Sequence, residues 1–174
     1  EYGCVISYDP NYRASLWKSE RTAKVQMRKM SQYADLIKLS DEETKLLTGE
    51  PDCEKASEIL LRRGAKIVAV TLGKSGAYVR TAHGGRFVPG FKNKAKDATG
   101  AGDAFWGGFL YRFVASGKRP EDVSLSEAAT FADFGNAVAS LCVERHGAIP
   151  AMPVMTQVAE KMNEERQAQI LTEN

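Results

Sequence analysis

Lys66-Ile67-Val68-Ala69-Val70-Thr71-Leu72 is the stretch that most limits what this chain can become. Its apolar residues run almost unbroken over the length of a strand, which implies burial on both faces. Strands covered on both faces belong to parallel sheets flanked by helices. The segments ahead of it fit that layout. Cys4 to Tyr8 is a β-rich run ended by the turn Asp9-Pro10-Asn11, and Ser19 to Tyr33 has helical spacing. Asp35 to Leu39 is a second strand, and Asp41 to Leu47 a short helix closed by Thr48-Gly49. Glu54 to Arg63 is a further helix, stopped at Gly64. Strand, helix, strand, helix, strand at this spacing is a βαβαβ unit. Its crossovers are right-handed, its helices lie on both faces, and ligands gather beyond the C-terminal ends of its strands. The sequence puts Asp9, Asn11 and Arg13 after the first strand, Ser40 and Glu43 after the second, and Gly73 to Gly76 after the third.

Beyond Gly76 the pattern changes. Ala77 to Arg80 and Arg86 to Pro89 are expected as two strands joined by His83-Gly84-Gly85. A helix from Asp103 ends near Gly117-Lys118-Arg119-Pro120, a long helix spans Ser126 to Val143, and a last one Val154 to Ile170. Ala128, Ala129, Ala132, Ala137 and Ala139 would let the long helix pack closely against a neighbour.

Gly100, Ala101 and Gly102 open the helix from Asp103. Small residues let a backbone approach a ligand closely, and the first N–H groups of a helix are unpaired and backed by the positive end of its dipole. That is an anion site, with phosphate the usual occupant. Asp103 at its mouth would repel the charge the site attracts. As a general base it makes sense, accepting the proton of a hydroxyl that attacks a phosphoryl group held by the N–H groups. A dinucleotide fingerprint is excluded because Phe105 stands where Gly or Ala is needed and helices, not a βαβ unit, follow; a Walker P-loop is excluded because no G-K-[ST] occurs.

The 174 residues suffice for one domain, and 24 basic against 22 acidic residues leave a formal charge of +2. The basic residues are scattered, so neither a nucleic-acid partner nor a membrane surface is indicated, and no apolar run reaches membrane length. Three dispersed cysteines, Cys4, Cys53 and Cys142, form no metal spacing and suit a reducing, cytoplasmic setting. Glu1 to Asp9 is not a signal peptide and reads as a strand already under way, so the chain is expected to begin inside a longer protein.

Asp97, Thr99, Gly100, Ala101, Gly102, Asp103 and Phe105 resemble the second signature of the PfkB carbohydrate kinases, D-T-x-G-A-G-D-x-F, with Ala98 the one departure. Thr71-Leu72-Gly73-Lys74-Ser75-Gly76 is similar to the family's T-x-G-x-x-G turn, and Ser40 to Glu43 to its N-x-x-E, with Ser in place of Asn. Asp9-Pro10-Asn11-Tyr12-Arg13 with Leu16-Trp17 resembles the D-P-N-x-R…L-W segment of fructokinases and 2-keto-3-deoxygluconate kinases. Arg145 to Pro153 resembles the x-x-G-A-x-P-x-x-P loop.

The resemblance implies a three-layer ribokinase-like α/β fold with a mostly parallel sheet and helices on both faces. It implies that residues 1–174 are the single ATP-binding and catalytic C-terminal portion, without the N-terminal part and sugar-covering lid. The implied reaction is phosphorylation of a sugar hydroxyl by ATP. Asp103 would be the base, and Gly100, Ala101 and Gly102 the anion hole. Thr71, Gly73, Lys74 and Gly76 would meet the nucleotide phosphates, while Asn136 and Gly147 border the adenine. Glu43 would hold Mg²⁺ through its waters. Asp97 and Thr99, with the loop at Gly147, would enclose K⁺. Asn11 and Arg13 would face the sugar, fructose being favoured and a sugar acid the alternative. A nucleotide-binding half without activity of its own is the other reading. The missing strands should leave an exposed sheet edge that invites pairing into a homodimer.

Overall fold

A computed structural model describes the backbone of residues 3–172 and the side chains of residues 3–164. The five strands are β1 (Ser7–Tyr8), β2 (Leu36–Ser40), β3 (Ile67–Thr71), β4 (Gly76–Thr81) and β5 (Gly84–Pro89). They form one sheet in the order β1-β2-β3-β4-β5. β1, β2 and β3 pair in parallel, and β4 is antiparallel to both β3 and β5. Four of the five strands therefore share one direction. The helices are α1 (Glu20–Ser31), α2 (Asp41–Thr48), α3 (Cys53–Arg62), α4 (Ala101–Ala115), α5 (Leu125–Cys142) and α6 (Met155–Thr172).

Side-chain alternation along the strands builds two cores. Ile37, Leu39, Val68, Val70 and Tyr78 face α1, α2 and α3 through Ala23, Met27, Leu47 and Leu60. Their neighbours Leu36, Ile67, Ala69, Ala77 and Val79 face α4 and α5 through Phe105, Phe109, Phe131 and Ala132. The central strands are thus covered on both sides, which is why β3 reads as an unbroken apolar run.

Helix starts follow local chemistry. The Ser19 hydroxyl accepts from the Thr22 N–H, and the Asp52 carboxylate from that of Lys55. Ser124 and Glu127 form a capping box at the start of α5. α4 and α5 pack almost backbone to backbone. A Cβ on Gly135 would stand 2.7 Å from the Phe105 carbonyl oxygen, and one on Gly108 3.1 Å from the Gly135 Cα. Two glycines, more than the alanines, permit the contact. Trp106 stacks on Phe109 with centroids 4.9 Å apart and donates from Nε1 to the Ser7 hydroxyl, tying α4 to β1.

Three local expectations are corrected. β1 is two residues long rather than five, because only β2 pairs with it and Ile6 already turns its N–H to the Asp35 carboxylate. The hairpin turn is Ala82-His83, with Gly84 and Gly85 inside β5. Gly85 lies under the Tyr78 ring, where a Cβ would fall 1.8 Å from the phenol oxygen. α4 starts at Ala101, not Asp103, because Gly100 adopts the left-handed conformation (φ 78°) and caps it.

Candidate active site

The C-terminal ends of β1, β2 and β3 open onto a cleft of about 1050 Å³, and the first turn of α4 forms its opposite wall. Ser40 and Thr71 sit side by side at the ends of β2 and β3. Asn11, Arg13, Glu43, Thr71, Gly73, Thr99, Gly100, Gly102 and Asp103 line it. A narrower slot of about 240 Å³ runs off it between α5 and the β3–β4 turn, with Lys74, Gly76, Phe91, Ala101 and Asn136 in its walls. Thr71, Gly73, Ala98 and Gly102 belong to both, so the two spaces adjoin at these residues.

At that junction the start of α4 offers N–H groups. The Ala101 N–H is already bonded to the Ala98 carbonyl (3.1 Å) and that of Ala104 to the Gly100 carbonyl (2.8 Å). The Gly102 and Asp103 N–H groups between them have no acceptor among the described residues. The Gly100 N–H, ahead of Ala101, has no acceptor among the described residues either. Asp103, in the same turn, is exposed to the cleft.

The loop before α4 is braced from behind. Asp97 accepts from the Thr99 N–H (2.9 Å) and the Gly147 N–H (2.9 Å). The Thr99 hydroxyl, the Gly147 N–H and the Thr99 N–H hold its carboxyl at about 2. A Cβ on Gly100 would meet the Ala148 Cβ at 2.7 Å. Asp97 and Gly147 thus join two loops and line neither space, whereas Thr99 lines the cleft.

Glu43 is buried and heavily engaged. One oxygen accepts from the Tyr12 N–H (2.6 Å), the other from the Ser40 N–H (2.8 Å) and hydroxyl (3.1 Å). It caps α2 and clamps the turn after β1. In that turn Asn11 has φ 45° and its N–H reaches the Asp9 carboxylate (3.1 Å); Arg13 is exposed and bonds the Tyr12 carbonyl through one Nη. Asn136 spends its NH₂ on the Val88 and Pro89 carbonyls (3.1 and 3.0 Å). Gly76 is required by β5, since a Cβ there would stand 2.2 Å from the Val88 carbonyl oxygen.

One residue was not found from the sequence alone. Lys38, in the middle of β2, is buried and donates to Asp9 at 3.0 Å. Burial raises the Asp9 carboxyl, and the Lys38 ammonium pulls it back. Burial, with Glu43 and Asp9 nearby, pushes the Tyr8 phenol up to about 12. The signal available was a lone lysine between apolar neighbours in a strand, where charge is rarely buried unless paired.

The open α/β sheet thus carries a cleft at its strand ends, with the glycine-capped start of α4 and the Asp103 carboxylate in its lining. Comparison with known proteins gives the family. Residues 3–155 match the pfkB family carbohydrate kinases, and the chain belongs to that family. It is 39% identical over 162 residues to fructokinase-1 of Zea mays, covering 91% of this chain and 49% of that protein. It is 40% identical over 154 residues to a probable fructokinase-5 of Arabidopsis thaliana, covering 87% and 46%. A fructokinase from Vibrio cholerae O395, in a fructose-, ADP- and calcium-bound form, superposes with a TM-score of 0.82 at 30% identity, covering 90% of this chain and 50% of that one. A fructokinase with bound ATP from Xylella fastidiosa gives 0.82 at 30% identity, covering 94% and 53%. The chain spans about half the length of the curated relatives it matches. No helix among the described residues is long and apolar enough to cross a membrane.

Proposed function

We propose that this chain supplies the ATP-binding and proton-accepting part of a fructokinase-type sugar kinase. The observation that carries the reading is the first turn of α4, where two open N–H groups and the Asp103 carboxylate share one wall of the cleft. The adenine is assigned to the slot beside Asn136, and the phosphates to the junction of Gly73 and Gly102. Lys74 borders the slot and screens phosphate charge. The sugar lies in the wide cleft near Asn11 and Arg13. Asp103 takes the proton of the attacking hydroxyl as its oxygen bonds to the γ-phosphorus and the bond to the ADP oxygen breaks. The Gly102 and Asp103 N–H groups stabilise the charge on the transferring phosphoryl oxygens.

Among the described residues no three His, Cys, Asp or Glu side chains converge to hold a metal. Glu43 fits Mg²⁺ through an intervening water, since three of its acceptor positions are taken and it lines the cleft. When bound to the phosphates, Mg²⁺ supplies charge neutralisation there. For K⁺, the Thr99 and Gly147 loops with the Asp97 carboxylate between them are the assigned surroundings.

Release of ADP, measured across a panel of sugars and sugar acids, tests the reading. Activity with fructose is expected, and Asp103→Asn should lower kcat by about 10²- to 10⁴-fold while ATP affinity stays within a few-fold. Near-normal turnover by Asp103→Asn rejects the base. ATP binding without turnover by the 174 residues favours a nucleotide-binding half.

A further inference from the structure

β2 carries one charged side chain into the interior. Lys38 stands between Ile37 and Leu39, both fully buried, and its own side chain is 7% exposed. It pairs across the sheet with Ala69, on the face turned to α4. Its Nζ lies 3.0 Å from Asp9 Oδ2, and a Cβ added to Gly102 would come within 2.7 Å of that Nζ. The ammonium therefore sits at the first turn of α4, beside the open N–H groups, and lines the cleft.

This is a costly position for a cation. A buried charge loses its hydration, and the positive end of a helix dipole opposes it further. Asp9 offsets part of that cost, yet its other oxygen is turned to the Asn11 N–H. An ammonium has three N–H donors, and Asp9 is the one partner of Lys38 among the described residues. An apolar residue would serve stability at least as well at such a site. A cation and helix N–H groups converging on one open space are instead arranged for a multiply charged anion.

We propose that Lys38 is a catalytic residue of the phosphoryl transfer, with Asp9 as the positioning residue that aims it. The inference rests on the reading under Proposed function and adds a group that reading does not use. The two free N–H groups of Lys38 bind oxygens of the transferring phosphoryl group alongside the amides of Gly102 and Asp103. Lys38 keeps its protons throughout. The sugar oxygen bonds to phosphorus, the ADP oxygen leaves, and the sugar proton goes to Asp103. The residue at 102 is glycine because any side chain would push the ammonium off this line.

The test compares wild type, Lys38→Met, Lys38→Arg and Asp9→Asn in the protein at its full encoded length. Calorimetric affinities for ADP and for a non-hydrolysable ATP analogue are measured with steady-state kinetics and thermal midpoints. Lys38→Met should weaken the triphosphate analogue at least about tenfold more than ADP. It should lower kcat about 10²-fold with the sugar KM within about threefold. Lys38→Arg should restore part of kcat, and Asp9→Asn should change the triphosphate-to-diphosphate preference without changing ADP affinity. A folded Lys38→Met with wild-type preference, or with equal loss of both nucleotides, overturns the proposal. Should Lys38→Met not fold, wild-type preference and kcat in Asp9→Asn do the same. A wild type that binds neither nucleotide rejects the kinase reading and Lys38 with it. A wild type that turns over fructose beside a Lys38→Met of unchanged preference rejects Lys38 alone.

Discussion

Gly100 and Gly102 stand two positions apart and are glycine for different reasons. Gly100 has φ 78° and would press a Cβ onto Ala148 at 2.7 Å. Gly100→Ala is expected to destabilise the chain by about 1–2 kcal/mol, read from urea midpoints, since both the left-handed backbone and the contact oppose a side chain. Gly102 lies inside α4, and a Cβ there meets only the flexible end of Lys38. Alanine is a better helix former than glycine by about 0.5–1 kcal/mol, so Gly102→Ala is expected to leave stability level or slightly raised. Turnover should nevertheless fall, because the ammonium must swing aside. A Gly102→Ala variant as unstable as Gly100→Ala would show that Lys38 cannot yield. Both glycines were visible in the chain as one motif. The division of labour was not, because it depends on Ala148 and Lys38, residues far away in sequence.

At the level of elements, Asp97 joins the loop before α4 to the loop at Gly147. Its carboxyl is held at about 2, below its ordinary 3.8. A depressed folded value means that the stabilisation is present above the unfolded value and is lost as pH falls toward 2. The Thr99 and Gly147 amide resonances should therefore titrate together near pH 2, and Asp97→Asn should remove that titration. A shared midpoint near 3.8 would mean that the bridge does not form in solution. Helices α1 to α5 were legible in the sequence to within a residue or two, because caps such as Ser19 and Ser124 and stops such as Gly49 and Gly64 are local signals. β1 and the Ala82-His83 turn were not. The length of β1 depends on which strands pair with it, and the turn position on the Tyr78 ring over Gly85. The strand-end cleft followed from the βαβαβ order, whereas the Lys38–Asp9 pair depends on which face of β2 meets α4.

Taken as a whole, the molecule shares one sheet between two cores. Leu36 and Ile37, or Val68 and Ala69, are adjacent residues committed to opposite sides. Neither layer can lose its strands without exposing the other, so a single cooperative unfolding transition is expected. The two tryptophans report on the two layers, Trp106 against the α4–α5 side and Trp17 against the α1–α3 side. Urea titrations of Trp17→Phe and Trp106→Phe, each followed by its remaining indole and by circular dichroism, should each give coincident midpoints for the two probes. Fluorescence and dichroism curves that separate would make the two faces independent folding units. The tight seam at Gly108 and Gly135 has a mechanical corollary. With so little space between the two backbones, α4 is keyed to α5, and any sliding of one past the other would first have to open that contact.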